Sequence, residues 1–75
     1  MNTLSSLKPG ERATVASLEL AGSLRRRLLD IGLVEGTQVL CTGRSPAGDP
    51  SSYLIRGAVI ALRAEDSKNI LLKSC

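Results

Sequence analysis

Histidine is absent from this chain, as are tryptophan and phenylalanine, and Tyr53 is its one aromatic residue. Without histidine, acid–base chemistry near neutral pH loses its commonest group and a metal site loses a standard ligand. No serine or cysteine has a possible histidine base, and neither spacing of a glycine-rich phosphate loop occurs. A lone tyrosine cannot build the stacking platform of a single-strand nucleic-acid binder, nor the aromatic groove that holds a proline-rich peptide. The longest unbroken apolar run is Ala58–Leu62, far short of the roughly 20 residues of a membrane-spanning helix. Cys41 and Cys75 show no C-x-x-C spacing and are expected as free thiols in a reducing compartment. Met1–Ser6 carries neither the charge nor the apolar run of a secretory leader, so a cytoplasmic location is expected. These absences argue against an enzyme and against a resident cofactor.

What is present is aliphatic and compactly patterned. The 75 residues are read as a single domain, 1–75, and 43% of them are hydrophobic, so the core must be built of Leu, Ile, Val and Ala. Ten basic residues against seven acidic ones leave +3, a mild bias towards an acidic partner.

The stretch Arg27 to Gly36 is the most informative. Leu24, Leu28 and Ile31 repeat at i, i+4 and i+7, which places one apolar stripe on a helix. Gly32 follows as the residue that closes a helix in the left-handed conformation, and Leu33 stands where the closure folds an apolar side chain back. Ser23, or Gly22 before it, is the expected N-cap, and Arg26 and Asp30 are spaced as a weak surface pair.

Lys8-Pro9-Gly10-Glu11 reads as a type II turn, preceded by a short turn in which Leu4 and Leu7 plug one end of the core. Alternation marks a strand from Arg12 to about Leu18 and a second from about Thr37 to Arg44, with Val39 and Cys41 inward and Gln38, Leu40 and Thr42 outward. Ser45–Ser51 is a hairpin loop rich in turn formers. Tyr53 and Ile55 face inward from a third strand, Gly57 turns the chain, and Ile60 and Leu62 face inward from a fourth. A polar helical turn over 64–69 leads to a last strand, Ile70-Leu71-Leu72. Five short strands with one helix after the first predict a mainly β fold, a small barrel with that helix inserted between its first two strands.

Leu7-Lys8-Pro9-Gly10-Glu11, Arg27–Leu33, Gly36 with Val39, Gly48-Asp49-Pro50, Tyr53 with Ile55 and Gly57, Ile60–Arg63 and Ile70 occur in an order that resembles the FeoA family. These are small cytosolic components of bacterial ferrous iron uptake. The resemblance implies an SH3-like β-barrel and a partner in FeoB, a membrane iron transporter with a cytosolic GTPase domain. Glu35 departs from the family, where proline commonly precedes the glycine. The same module ends iron-dependent repressors, but no helix-turn-helix region accompanies it here, which favours a free-standing protein.

Iron transport directs attention to metal ligands. Cys41, Cys75, Asp49, Glu65 and Asp66 are the candidates, and only the adjacent acids have a usable spacing, which equally suits the first turn of a short helix. No metal site is expected. Arg25-Arg26-Arg27 spreads over most of a helix circumference rather than forming a phosphate-binding stripe. The alternative function, a regulatory or nucleic-acid-associated module, would use this basic helix. The favoured function is contact with the transporter. The expected partner surface is centred on Leu33 and Val34, at an exposed corner, with Leu40 and Leu54 on the outer face and Arg25 and Arg26 at the rim. The same patch would serve a weak homodimer.

Overall fold

The computed structural model describes residues 2–73. Five strands form one antiparallel sheet: β1 (Arg12–Leu18), β2 (Gln38–Arg44), β3 (Ser51–Ile55), β4 (Ala58–Leu62) and β5 (Ile70–Leu72). The helix α1 (Gly22–Asp30) lies between β1 and β2 in the chain, and a single-turn helix α2 (Ala64–Ser67) precedes β5. The strand order is β4-β3-β2-β1-β5. β1 makes the fold possible by serving two neighbours. Arg12–Thr14 pair with β2, Val15–Leu18 pair with β5, and the register shifts between Val15 and Ser17. Such an irregularity bends a strand and increases its twist, which wraps the sheet around one core. The result is SH3-like, although β4 and β5, the two outer strands, do not pair with each other and the barrel is not hydrogen-bonded shut.

Alternation is realised as the sequence implies. Val39, Cys41, Tyr53, Ile55 and Leu62 are buried, with Val15 and Leu72 completing the wall from β1 and β5. A 3-10 turn over Leu4–Ser6 closes one end with Leu4 and Leu7. The single aromatic ring is also tied there: the Tyr53 hydroxyl donates to the Leu4 carbonyl at 3.4 Å. Arg44 adds a second tie, its Nη2 donating to the Leu7 carbonyl at 2.7 Å and its Nε to Ser51 Oγ at 3.2 Å.

At the other end α1 buries Leu28 and half-buries Leu24 and Ile31. Its close is a Schellman motif: the Gly32 N–H donates to the Leu29 carbonyl at 3.0 Å and the Leu33 N–H to the Leu28 carbonyl at 2.9 Å. Gly32 holds φ +95, which an L side chain enters only with strain. A Cβ at Gly32 would also meet Arg56 Cδ at 2.5 Å, because the Arg56 stem lies across this corner. Thr37 stitches the rest of the turn, its Oγ1 donating to the Gly32 carbonyl and accepting from the Val34 N–H, each at 3.0 Å. Beside them Glu35 points outward and meets Lys73 at 3.9 Å.

Two details differ from expectation. The N-cap is Ala21 with no side-chain cap bond, and neither Ser23 nor Gly22 takes that role. Arg26 and Asp30 do not join; the Glu35–Lys73 contact is the one ion pair among the described residues.

Candidate functional site

The outer face of the sheet carries an aliphatic row that the core does not fully bury. Register places Arg12 opposite Leu40, Leu40 opposite Leu54, and Leu54 opposite Val59, so these four form a row crossing β1, β2, β3 and β4. Cross-strand neighbours of this kind have Cβ atoms about 5 Å apart and act as one surface. Leu40 and Leu54 are half-buried by their neighbours, and Val59 is 63% exposed. A shallow depression of about 200 Å³ lies over the Arg12, Leu40 and Leu54 part of the row, lined also by Gln38, Val39, Arg56 and Gly57; Val59 lies outside it. Arg56 therefore links two regions, its stem against the helix corner and its length along this depression.

The expected partner surface is thus assembled only in part. Leu40 and Leu54 come together as a directly opposed pair. Val34 is exposed at the corner, but it does not line the depression. Leu33 is a correction: it is fully buried in the core, because the helix closure turns its side chain inward rather than out to the corner. It cannot anchor a partner. Arg25 and Arg26 are exposed on α1 and do not line the depression either; the basic groups flanking the aliphatic row are Arg12 and Arg56. Val59, which sequence reasoning did not single out, is the most exposed aliphatic residue of the row. Strand alternation alone could have found it, since Ile60 and Leu62 inward put Val59 outward.

The candidate metal ligands are dispersed. Cys41 is a buried thiol whose Sγ approaches the Gly43 carbonyl at 3.7 Å. Asp49 has structural work, its Oδ1 accepting the Ala64 N–H at 2.8 Å and so holding the 45–50 loop to the start of α2. Glu65 and Asp66 fall in the first turn of α2. Cys75 lies outside the described residues. Among the described residues no group of three or more Cys, Asp or Glu side chains converges as a metal site would require. None of their helices is long and apolar enough to cross a membrane.

Comparison with known proteins agrees with this architecture. The FeoA domain model matches residues 2–74. A Porphyromonas gingivalis protein, an Fe(2+) transport protein A/Fe(2+) transporter FeoB fusion, is 34% identical over 67 residues, which cover 89% of this chain and 8% of that protein. This chain thus spans a small fraction of that relative's length. The solution structure of FeoA from Chlorobium tepidum superposes with a TM-score of 0.88 at 35% identity, over 95% of this chain and 68% of that one. Stenotrophomonas maltophilia FeoA in complex with zinc, described as a prokaryotic SH3 domain protein, gives 0.84 at 27% identity, over 97% and 91%. A mainly β, SH3-like chain whose free apolar surface lies on its sheet, matched end to end by one family model, belongs to the FeoA family, whose members are associated with ferrous iron transport.

Proposed function

We propose that this chain is an accessory protein of ferrous iron uptake that docks on the cytosolic, GTPase-bearing part of a FeoB-like transporter, using the outer face of its sheet. The observation that carries the proposal is the fusion relative, in which the same module shares one polypeptide with the transporter. Leu40, Leu54 and Val59 are the anchors, and Arg12 and Arg56 form the polar rim that steers an acidic surface into place.

Magnitudes shape this reading. Fully burying an exposed aliphatic side chain is worth about 1.5–3 kcal/mol, but Leu40 and Leu54 are already half-covered, so Val59 has the most to gain. Three such anchors, less the entropy lost on association, suit a weak and reversible contact. Fusion changes that situation without a new contact, since a short linker raises the effective concentration to about the millimolar range. The chain then acts by position and not by chemistry.

The test is calorimetric titration of the purified chain with the cytosolic region of the transporter. Leu40→Asp, Leu54→Asp and Val59→Asp should each abolish binding while leaving the circular dichroism spectrum intact. Charge reversal at Arg12 and Arg56 should slow association and flatten its salt dependence. If all three aspartate variants bind as the parent does, the interface lies elsewhere. Salt-sensitive micromolar binding to mixed RNA, with none to the transporter, would favour the nucleic-acid alternative instead.

A further inference from the structure

Among the described residues only one of the two sheet edges is covered. Beside β5, the Leu72 N–H donates to the Asn2 carbonyl at 2.9 Å and Thr3 bridges Leu71, so the N-terminal segment occupies that edge. Among the described residues β4 has no such neighbour on its outer side. Arg56 at φ 48 and Gly57 at φ 87 make a two-residue hairpin turn of the primed kind, which sets Ile55 and Ala58 as a hydrogen-bonded pair. Antiparallel alternation then directs the backbone groups of Ala58, Ile60 and Leu62 towards β3. The N–H and C=O groups of Val59 and Ala61 point the other way, and among the described residues they meet no partner. Both residues are exposed. Proteins usually blunt such an edge with a charge, a proline or a bulge. β4 has none of these: it reads Ala-Val-Ile-Ala-Leu in unbroken register with β3.

A cleft of about 230 Å³ runs between this strand and α1. Leu24 and Leu28 line it from the helix, and Ile60 and Leu62 from the strand. The exposed Arg27 and Arg63 also line it, against the single carboxylate of Asp66. Neither arginine has an ion-pair partner among the described residues. We propose that the free edge of β4 is a strand-addition site for an extended acidic segment of a partner polypeptide, with alternate aliphatic side chains entering the cleft beside α1. Main-chain bonds to Val59 and Ala61 would supply affinity, and the cleft would select the side chains. A second copy of the chain could satisfy the same backbone groups by pairing β4 with β4 about Ile60. That arrangement sets two +3 molecules together, each bringing Arg63 and the α1 arginines, so charge disfavours it.

This site stands on edge geometry and does not depend on the transporter reading. The experiment uses the full chain, 15N-labelled, at low salt. The probe is a short acetylated and amidated peptide alternating glutamate with valine. Controls are the lysine–valine counterpart and the same glutamate peptide N-methylated at its valines. The Val59 and Ala61 amides should exchange quickly in the free chain and be protected at least about tenfold at saturation. Arg63→Glu should weaken binding by about two- to fivefold, the scale of exposed charge pairs. Ala61→Pro should abolish it, and Leu40→Asp should leave it unchanged, which separates this site from the outer-face docking. The proposal is overturned if the two amides are already protected in the free chain or stay unprotected at millimolar peptide. Equal binding of either control peptide overturns it as well. Protection that rises with protein concentration alone would replace the acidic segment by a second copy.

Discussion

Gly32→Ala is the sharpest probe of the helix corner, because two separable costs meet at one atom. The backbone there holds φ +95, and an alanine in the left-handed region costs roughly 1–2 kcal/mol. The new Cβ would also lie 2.5 Å from Arg56 Cδ and 2.8 Å from Arg56 Nε. Arg56 is exposed and its stem is flexible, so it can swing aside, and the backbone term should dominate. A loss of about 1–2 kcal/mol is large against the roughly 3–5 kcal/mol a core of this size supplies. It should lower the melting temperature by about 4–8 °C per kcal/mol. Urea denaturation followed by circular dichroism reads the change as a lower midpoint at constant slope. Arg56→Ala, made alone and in combination, closes a double-mutant cycle, and the coupling should stay below about 0.5 kcal/mol. Gly32→Val should be worse than Gly32→Ala, since a β-branched residue at positive φ is an outlier. A loss below about 0.5 kcal/mol for Gly32→Ala would refute the strain argument. Full restoration by Arg56→Ala would refute it equally, by assigning the cost to side-chain collision.

Three further outcomes follow from packing and chemistry. Leu28→Ala removes a side chain only 2% exposed and should cost about 2–4 kcal/mol in the same urea titration; near-neutrality would mean α1 is not seated on the core. Asp49→Ala removes the acceptor for the Ala64 N–H and should cost about 1 kcal/mol, with Asp49→Asn recovering most of it; equal melting temperatures for all three proteins would show this hydrogen bond is idle. The purified chain should bind no stoichiometric ferrous iron and hydrolyse no GTP. Sub-micromolar iron binding that survives Cys41→Ser and Cys75→Ser would contradict the first half, and turnover by the isolated chain the second.

Local chemistry made most of the fold legible. The Leu24, Leu28 and Ile31 stripe followed at once by Gly32 encodes a helix and its stop, and the observed Schellman bonds close where that pattern demands. Alternation assigned Val39, Cys41, Tyr53 and Ile55 to the core correctly, because a strand has only two faces and one of them must be dry. The corner was harder. Leu33 is three residues beyond the helix and Val34 four, and polarity does not distinguish them; the closure turns the first inward and leaves the second in water. The helix cap was not legible because capping preference points to Ser23 or Gly22 and away from alanine, whereas the helix starts one residue earlier, from Ala21, with no side-chain cap bond.

Composition alone determined that this protein works without histidine, without stacking aromatics and without a membrane-length apolar run, and so directed attention to its surface. Which surface residues meet was decided only in three dimensions. Arg12, Leu40, Leu54 and Val59 lie on four different strands, and they form one row because hydrogen-bond register aligns them. Arg56 flanks that row, and not Arg25 or Arg26, because the β3–β4 turn carries it there while α1 points its arginines elsewhere. Periodicity is a property of one strand or helix and is written along the chain. Register, bend and edge exposure are properties of pairs of elements, set by the burial of a shared core, and no single segment contains them.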